Sequence, residues 1–247
     1  MKKVVLLSAL SLACFVTGCV NLPQTPPAEK TLKTTGAWDV NRSVMLAAEN
    51  SGNYEIALKT GDEELAARPD NDEAKIIMAR LLSRTGQAQR ASSLIETVKE
   101  DPDGLVLIER VRCLIAMNQG SSARELIDEQ EEMGRIHGKE NLFEAHKLLA
   151  VALDLEGDNK KAQTLYSSLL AQREDPAVRM NFGRSLIATG NYAQAAEILM
   201  PLVDSPKYPQ ARILAAGAVK KAGDKRQARS LLEGYLPDKQ IDGLLKK

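Results

Sequence analysis

The sequence predicts an all-α solenoid of about six helix-turn-helix units, wound as a right-handed superhelix. The first observation is a glycine followed five residues later by an alanine. It recurs as Gly52/Ala57, Gly86/Ala91, Gly157/Ala162, Gly190/Ala195 and Gly223/Ala228. A weaker copy carries Asn118-Gln119-Gly120 at its turn, with Ala123 in the alanine slot. The second observation is register, because the alanines at 57, 91, 123, 162, 195 and 228 lie 34, 32, 39, 33 and 33 residues apart. The third is punctuation. Pro69 and Pro102 stop one unit and start the next, and Pro176 and Pro209 stand near later unit starts, because proline lacks the N–H that a helix interior needs.

Each slot has a physical reason. Glycine ends the first helix of a pair because it takes positive φ without a Cβ clash. Alanine suits the close crossing of two helices, where a larger side chain would force them apart. Leu, Ile and Tyr at later helical spacing fill the groove between neighbours. The clearest copy runs Phe182-Gly183, Gly190-Asn191-Tyr192 and Ala195, then Leu199 and Leu202. Together these resemble the tetratricopeptide repeat, whose period is 34 residues. One such unit cannot bury its own apolar face, so stacked copies share a continuous core.

Along the chain, Lys2 and Lys3 precede an apolar run from Val4 to about Val16, and Val16-Thr17-Gly18-Cys19 follows. This resembles a bacterial lipoprotein leader, with residues 1–18 as signal peptide and Cys19 as the acylated new N-terminus. The apolar run, at about 13 residues, is short of the roughly 20 needed to span a bilayer. Cys14 is a poorer site because Ser-Leu-Ala precedes it. Val20 after Cys19 favours the outer membrane, on its periplasmic face. Residues 19–37, with Pro23, Pro26 and Pro27, are expected to form a flexible tether. The array is expected over 38–236, with an insertion near 133–141 read as a loop or a hinge, and a C-terminal tail over 237–247.

Without residues 1–18, the chain carries 31 basic and 33 acidic side chains, which gives no support to nucleic-acid binding. The balance is uneven: Cys19 to Gly134 holds 13 basic and 20 acidic residues, and Arg135 to Lys247 holds 18 and 13. Such asymmetry can orient a partner. After leader removal and acylation, Cys113 is the remaining free cysteine, so no internal disulfide is expected. Its neighbours Val111, Leu114 and Ile115 mark it as a small buried hydrophobe, against the alternative of a catalytic thiol. His137 and His146 lie nine residues apart, too far to pair on adjacent helical turns. No serine elbow, phosphate-cradling loop or separated carboxylate pair is evident. The expectation is a scaffold and not an enzyme, with no metal, no small-molecule substrate and no cofactor beyond the covalent lipid on Cys19.

In arrays of this kind the first helices line the concave face. In the basic half that register places Lys147, Val151, Met180, Asn181, Arg184, Ile213, Lys220 and Lys221 in a partner groove suited to an acidic peptide. The lipobox, the length and the run from Asp175-Pro176 through Phe182-Gly183 to Pro201-Leu202 and Ser205-Pro206 resemble the tight-adherence (Flp) pilus assembly lipoproteins of the TadD type. That resemblance implies an envelope factor with protein partners, pilotin-like for an outer-membrane secretin or acting on other pilus subunits. A type IV pilus pilotin, or a periplasmic adaptor for peptidoglycan hydrolases or outer-membrane assembly factors, is the alternative.

Overall fold

The computed structural model describes the backbone from Ala28 to Lys246 except Pro102, and side-chain surroundings from Gly36 onward. The expected signal peptide and Cys19 lie outside the described residues. The chain divides into Met1–Ala37 and Trp38–Lys247.

Helices account for all the regular structure among the described residues. The N-terminal part contains α1 (Ala28–Asn50), α2 (Tyr54–Ala67), α3 (Asp72–Arg84) and α4 (Ala88–Ile95). The middle contains α5 (Leu105–Ala116), α6 (Gly120–Glu132), α7 (Lys139–Glu156) and α8 (Asn159–Gln172). The C-terminal part contains α9 (Pro176–Ala188), α10 (Tyr192–Leu199), α11 (Gln210–Lys221), α12 (Lys225–Leu232) and α13 (Asp238–Lys246), with a 3₁₀ turn at Met200–Leu202. From α2 on, consecutive helices pack together, and α3 also packs on α5, α5 on α7, α7 on α9 and α9 on α11. This is the tetratricopeptide-repeat solenoid that the periodicity predicts.

The repeat slots do what their chemistry requires. Ala57, Ala91, Ala123, Ala162, Ala195 and Ala228 are each 0% exposed, so every crossing is closed on a methyl group. At Gly190 (φ +79°) the helix ends in two bonds: Gly190 N–H donates to Ile187 O at 3.1 Å, and Asn191 N–H to Leu186 O at 2.8 Å. The same pair of bonds closes all six turns, a left-handed cap that satisfies the last carbonyls. In the irregular third unit Asn118 (φ 60°) takes the glycine slot, five residues before Ala123. Asparagine enters this region more readily than other side chains. Gly120 instead opens α6, where an added Cβ would lie 2.8 Å from the Ala152 carbonyl oxygen.

N-caps set the starts of later helices. Asp175 Oδ1 accepts from the N–H groups of Ala177 (2.8 Å) and Val178 (3.0 Å), and Asp224 accepts from Gln227 N–H at 2.8 Å. Each satisfies donors that the helix cannot.

Three boundaries differ from expectation. Helix α1 starts at Ala28, inside the stretch 19–37 read as tether: beyond Pro27 no proline intervenes, and Ala28, Glu29, Lys30, Leu32 and Lys33 favour helix. The long 39-residue spacing is shared between the 133–138 loop and an 18-residue α7. The core runs straight through it, joining Ile108, Val111, Ala123 and Ile127 to Ala145, Leu148 and Ala152, so the insertion is a loop and not a break. Residues 237–247, expected as a tail, hold α13, whose Ile241 (0% exposed) packs with Ala216 and Leu232. The spacing of Ile241, Leu244 and Leu245 is that of an amphipathic helix, and α13 covers apolar surface that the last helix pair would otherwise leave open.

Candidate partner-binding groove

The structure spreads the expected groove residues over different surroundings. Arg184 and Lys221 are exposed and Asn181 half-buried, and no hydrogen bond or ion pair engages them among the described residues. Ile213 is 39% exposed. Val151 is half-buried against the core that holds Phe143 and Leu153. Lys220 Nζ donates to the Leu244 carbonyl at 2.9 Å, which ties α11 to α13. Met180 is not a groove residue: it is 3% exposed and packs with Leu199, Leu202, Ala211 and Ala215. One helical position turns the side chain by about 100°, and that step separates Met180 in the core from Asn181 on the surface.

Lys147 is not a free cation either. Its ammonium bonds Glu144 one turn earlier and lies 3.7 Å from Asp175, the N-cap of α9. It ends a ladder of alternating charge across the first helices of four successive pairs. Arg84 and Arg80 of α3 lie 3.0 and 2.9 Å from Glu49 of α1. Arg80 also lies 4.0 Å from Glu109 of α5, which accepts from Arg112 Nε at 2.9 Å. Arg112 lies 3.7 Å from Glu144 of α7, and Lys147 follows.

Two carboxylates of the ladder are buried. Glu109 is 2% exposed and Glu49 8%. Burial pushes the Glu109 carboxyl above the usual carboxylate range, against the pull of Arg112, Arg80 and Arg84. Such an arrangement is costly to break from one side, because it leaves a desolvated charge unmatched. The ladder therefore fixes how neighbouring pairs stack, while the cations within it are occupied.

A pronounced concave space lies in the acidic half. A cavity of about 700 Å³ is bounded by α1, α3 and the segment leading into α5. Its floor includes Ile76 and Ile77, both 5% exposed, with Leu46 and Leu105 half-buried beside them. The walls are strongly polar. Trp38 Nε1 donates to Glu73 at 3.2 Å, and Arg42 pairs with the same carboxylate. Asp72 accepts from the N–H groups of Lys99 (3.0 Å) and Glu100 (2.9 Å) and pairs with Lys75; the Lys75 bond leads in holding its carboxyl below the usual range. Asp101 accepts from Leu105 N–H at 2.7 Å and Val106 N–H at 2.8 Å, which starts α5 and fixes the far wall. Arg80 also lines the cavity, shared with the ladder.

Groups able to do chemistry are placed elsewhere. Cys113 is 1% exposed, with Sγ 3.3 Å from Ser83 Oγ, and burial pushes its thiol up. His146 Nε2 lies 3.2 Å from Glu131. Among the described residues no group of three or more His, Cys, Asp or Glu side chains could hold a metal ion. No helix among them is long and apolar enough to cross a membrane.

Comparison with known proteins agrees with this architecture. The tetratricopeptide-repeat family profile matches residues 153–205, the segment from the end of α7 through α10. The chain is 26% identical over 172 residues to cellulose synthase 1 operon protein C of Komagataeibacter xylinus, which covers 67% of this chain and 12% of that protein. It is 32% identical over 108 residues to cellulose synthase operon protein C of the same organism, covering 42% and 8%. The chain thus spans about a tenth of the length of these relatives. The solved structure of Naa15/Naa10 bound to HypK-THB aligns over 85% of this chain and 38% of that chain, at 14% identity and a TM-score of 0.33, a likeness too low to carry an argument.

Proposed function

We propose that this protein is an outer-membrane lipoprotein adaptor, anchored through acylated Cys19, whose repeat array holds a protein partner for assembly of an envelope machine. The observation that carries the adaptor role is the repeat solenoid with an open, polar-walled groove and its occupied interior charges. Such a surface is suited to recognising a partner. The machine we assign is a tight-adherence (Flp) pilus, with the protein pilotin-like toward its secretin. Support comes from the leader ending in Val16-Thr17-Gly18-Cys19 and from the run Asp175 to Pro206. Each buried lipid CH₂ contributes about 0.8 kcal/mol, and several chains on one cysteine hold the protein at the membrane. Holding a partner there raises its effective concentration where assembly occurs.

A second reading rests on the relatives. Both matched proteins are named for cellulose synthase operons, and an adaptor of the same build could serve polysaccharide synthesis or export instead. In-cell crosslinking of the tagged lipoprotein, with mass spectrometry of the captured proteins, separates them. Capture of a secretin and its pilus neighbours is the expected result. Capture of polysaccharide synthase subunits moves the assignment to the second reading, and capture of neither refutes both. Cys19→Ser is expected to leave the fold unchanged while releasing the protein from the membrane fraction and impairing piliation. Normal piliation with a soluble variant would refute the anchored mechanism.

A further inference from the structure

The expected partner groove lay in the basic C-terminal half, for an acidic peptide. The structure places a cavity of about 700 Å³ in the other half, with the opposite charge. Resting on the adaptor reading, we propose that the cavity among α1, α3 and the entry to α5 binds an extended basic segment of the partner protein: an apolar side chain seated on Ile76 and Ile77, flanked by Lys or Arg.

Four observations carry this. The lining holds six acidic side chains against three basic ones. The three cations are already engaged: Arg42 by Glu73, Arg80 by Glu49 and Lys99 by Asp70. Among the described residues Glu100 and Asp103 have no side-chain partner, so negative valence is left at the rim. The Asp70–Lys99 pair at 3.1 Å is exposed on both sides, 82% and 74%, and such a pair is worth little. An incoming cation can therefore take Asp70 at small cost. The apolar floor beneath a free acidic rim selects a side chain of Leu, Ile or Phe type with cations near it, and disfavours acidic sequences by like-charge repulsion.

Panning a phage-displayed library of random peptides against the immobilised full chain tests the idea. The expected result is enrichment of sequences with Lys or Arg around a large apolar residue. A fluorescently labelled copy of an enriched peptide should bind at least about tenfold more weakly to the charge-reversed variant Asp70→Lys/Glu100→Lys/Asp103→Lys, a change worth about 1.4 kcal/mol. All three side chains are exposed, and circular dichroism verifies that the variant folds. Binding to the unmodified chain should also weaken as salt is raised. Arg184→Glu/Lys221→Glu should leave binding of the same peptide unchanged. Enrichment of acidic peptides, binding insensitive to the reversal or to salt, loss on Arg184→Glu/Lys221→Glu, or no enrichment overturns the proposal. The adaptor reading stands or falls separately, on what the crosslinking captures in cells.

Discussion

Replacing Arg112 by Met should destabilise the array far more than an ordinary surface change. Arg112 Nε donates to Glu109 at 2.9 Å, and Glu109 is 2% exposed. Without that guanidinium, Glu109 keeps only Arg80, 4.0 Å away, and the more distant field of Arg84. Breaking a buried pair from one side costs about 3–5 kcal/mol. At about 2–4 °C per kcal/mol for a domain of this size, the midpoint of thermal unfolding should fall by roughly 10 °C. Burial already holds the Glu109 carboxyl above its usual range, and loss of Arg112 raises it further. The folded variant then binds a proton that the unfolded chain releases above about pH 4.3. Its stability must fall as pH rises from there through the folded value, so its deficit is largest near neutrality and narrows on acidification. Urea unfolding followed by far-UV circular dichroism at several pH values measures both effects. Glu109→Gln/Arg112→Met, which removes both charges, should recover most of the loss, and the double-mutant cycle isolates the coupling. A single variant within about 0.5 kcal/mol of the parent, or a deficit that grows on acidification, would refute the reasoning.

Three further outcomes can be checked with the same methods. Glu64 is 0% exposed; its pKa is held down to about 2 by Arg68 first, with Asn41 and Asn71 adding bonds. Its contribution, about 2–3 kcal/mol by linkage, should be present above the unfolded carboxylate value and be lost as pH falls toward 2, and Glu64→Gln should flatten that acid limb. Gly183→Ala should cost about 1–2 kcal/mol despite the better helix propensity, because the new Cβ would lie 2.5 Å from Cγ and Cδ2 of Leu199, itself 0% exposed; unfolding at the parent midpoint would count against this packing. Cys113 should resist iodoacetamide in the native protein and react once unfolded in urea, since its thiol is buried and its pKa raised; rapid native labelling read by mass spectrometry would contradict the placement.

The repeat was legible because its constraints are local. A left-handed turn demands glycine or asparagine, a tight crossing demands alanine, and both lie within a few residues of each other. Asn118 shows how far that extends, since it fills the glycine slot while Gly120 serves close packing against Ala152. Helix α13 was legible too, in the spacing of Ile241, Leu244 and Leu245, although the position of these residues past the last repeat led to the expectation of a tail. The ladder was not read, because its partners sit on different units. The signal available was opposite charge about one repeat apart, as in Glu49 with Arg80 at 31 residues and Arg112 with Glu144 at 32. Reading charge by half-chain totals averaged that pattern away.

This difference between totals and pairings governs where a partner can bind. The repeat register within the basic half placed Lys147 in a groove, yet that lysine is held by Glu144 and Asp175. Once paired charges are set aside, the valence left among the described residues lies at exposed positions, among them Glu100 and Asp103 beside the cavity and Arg184 and Lys221 in the C-terminal half. The ladder sets the stacking of adjacent pairs, and in a repeat array that nearest-neighbour interface supplies much of the stability. Charges that specify the stack are then unavailable to a ligand, because exchanging Glu109 or Arg112 for a partner's group would require unpairing a desolvated ion. Exposed charges carry no such penalty. The charge component of partner specificity on this scaffold therefore resides in exposed residues outside the ladder, which can vary without disturbing it.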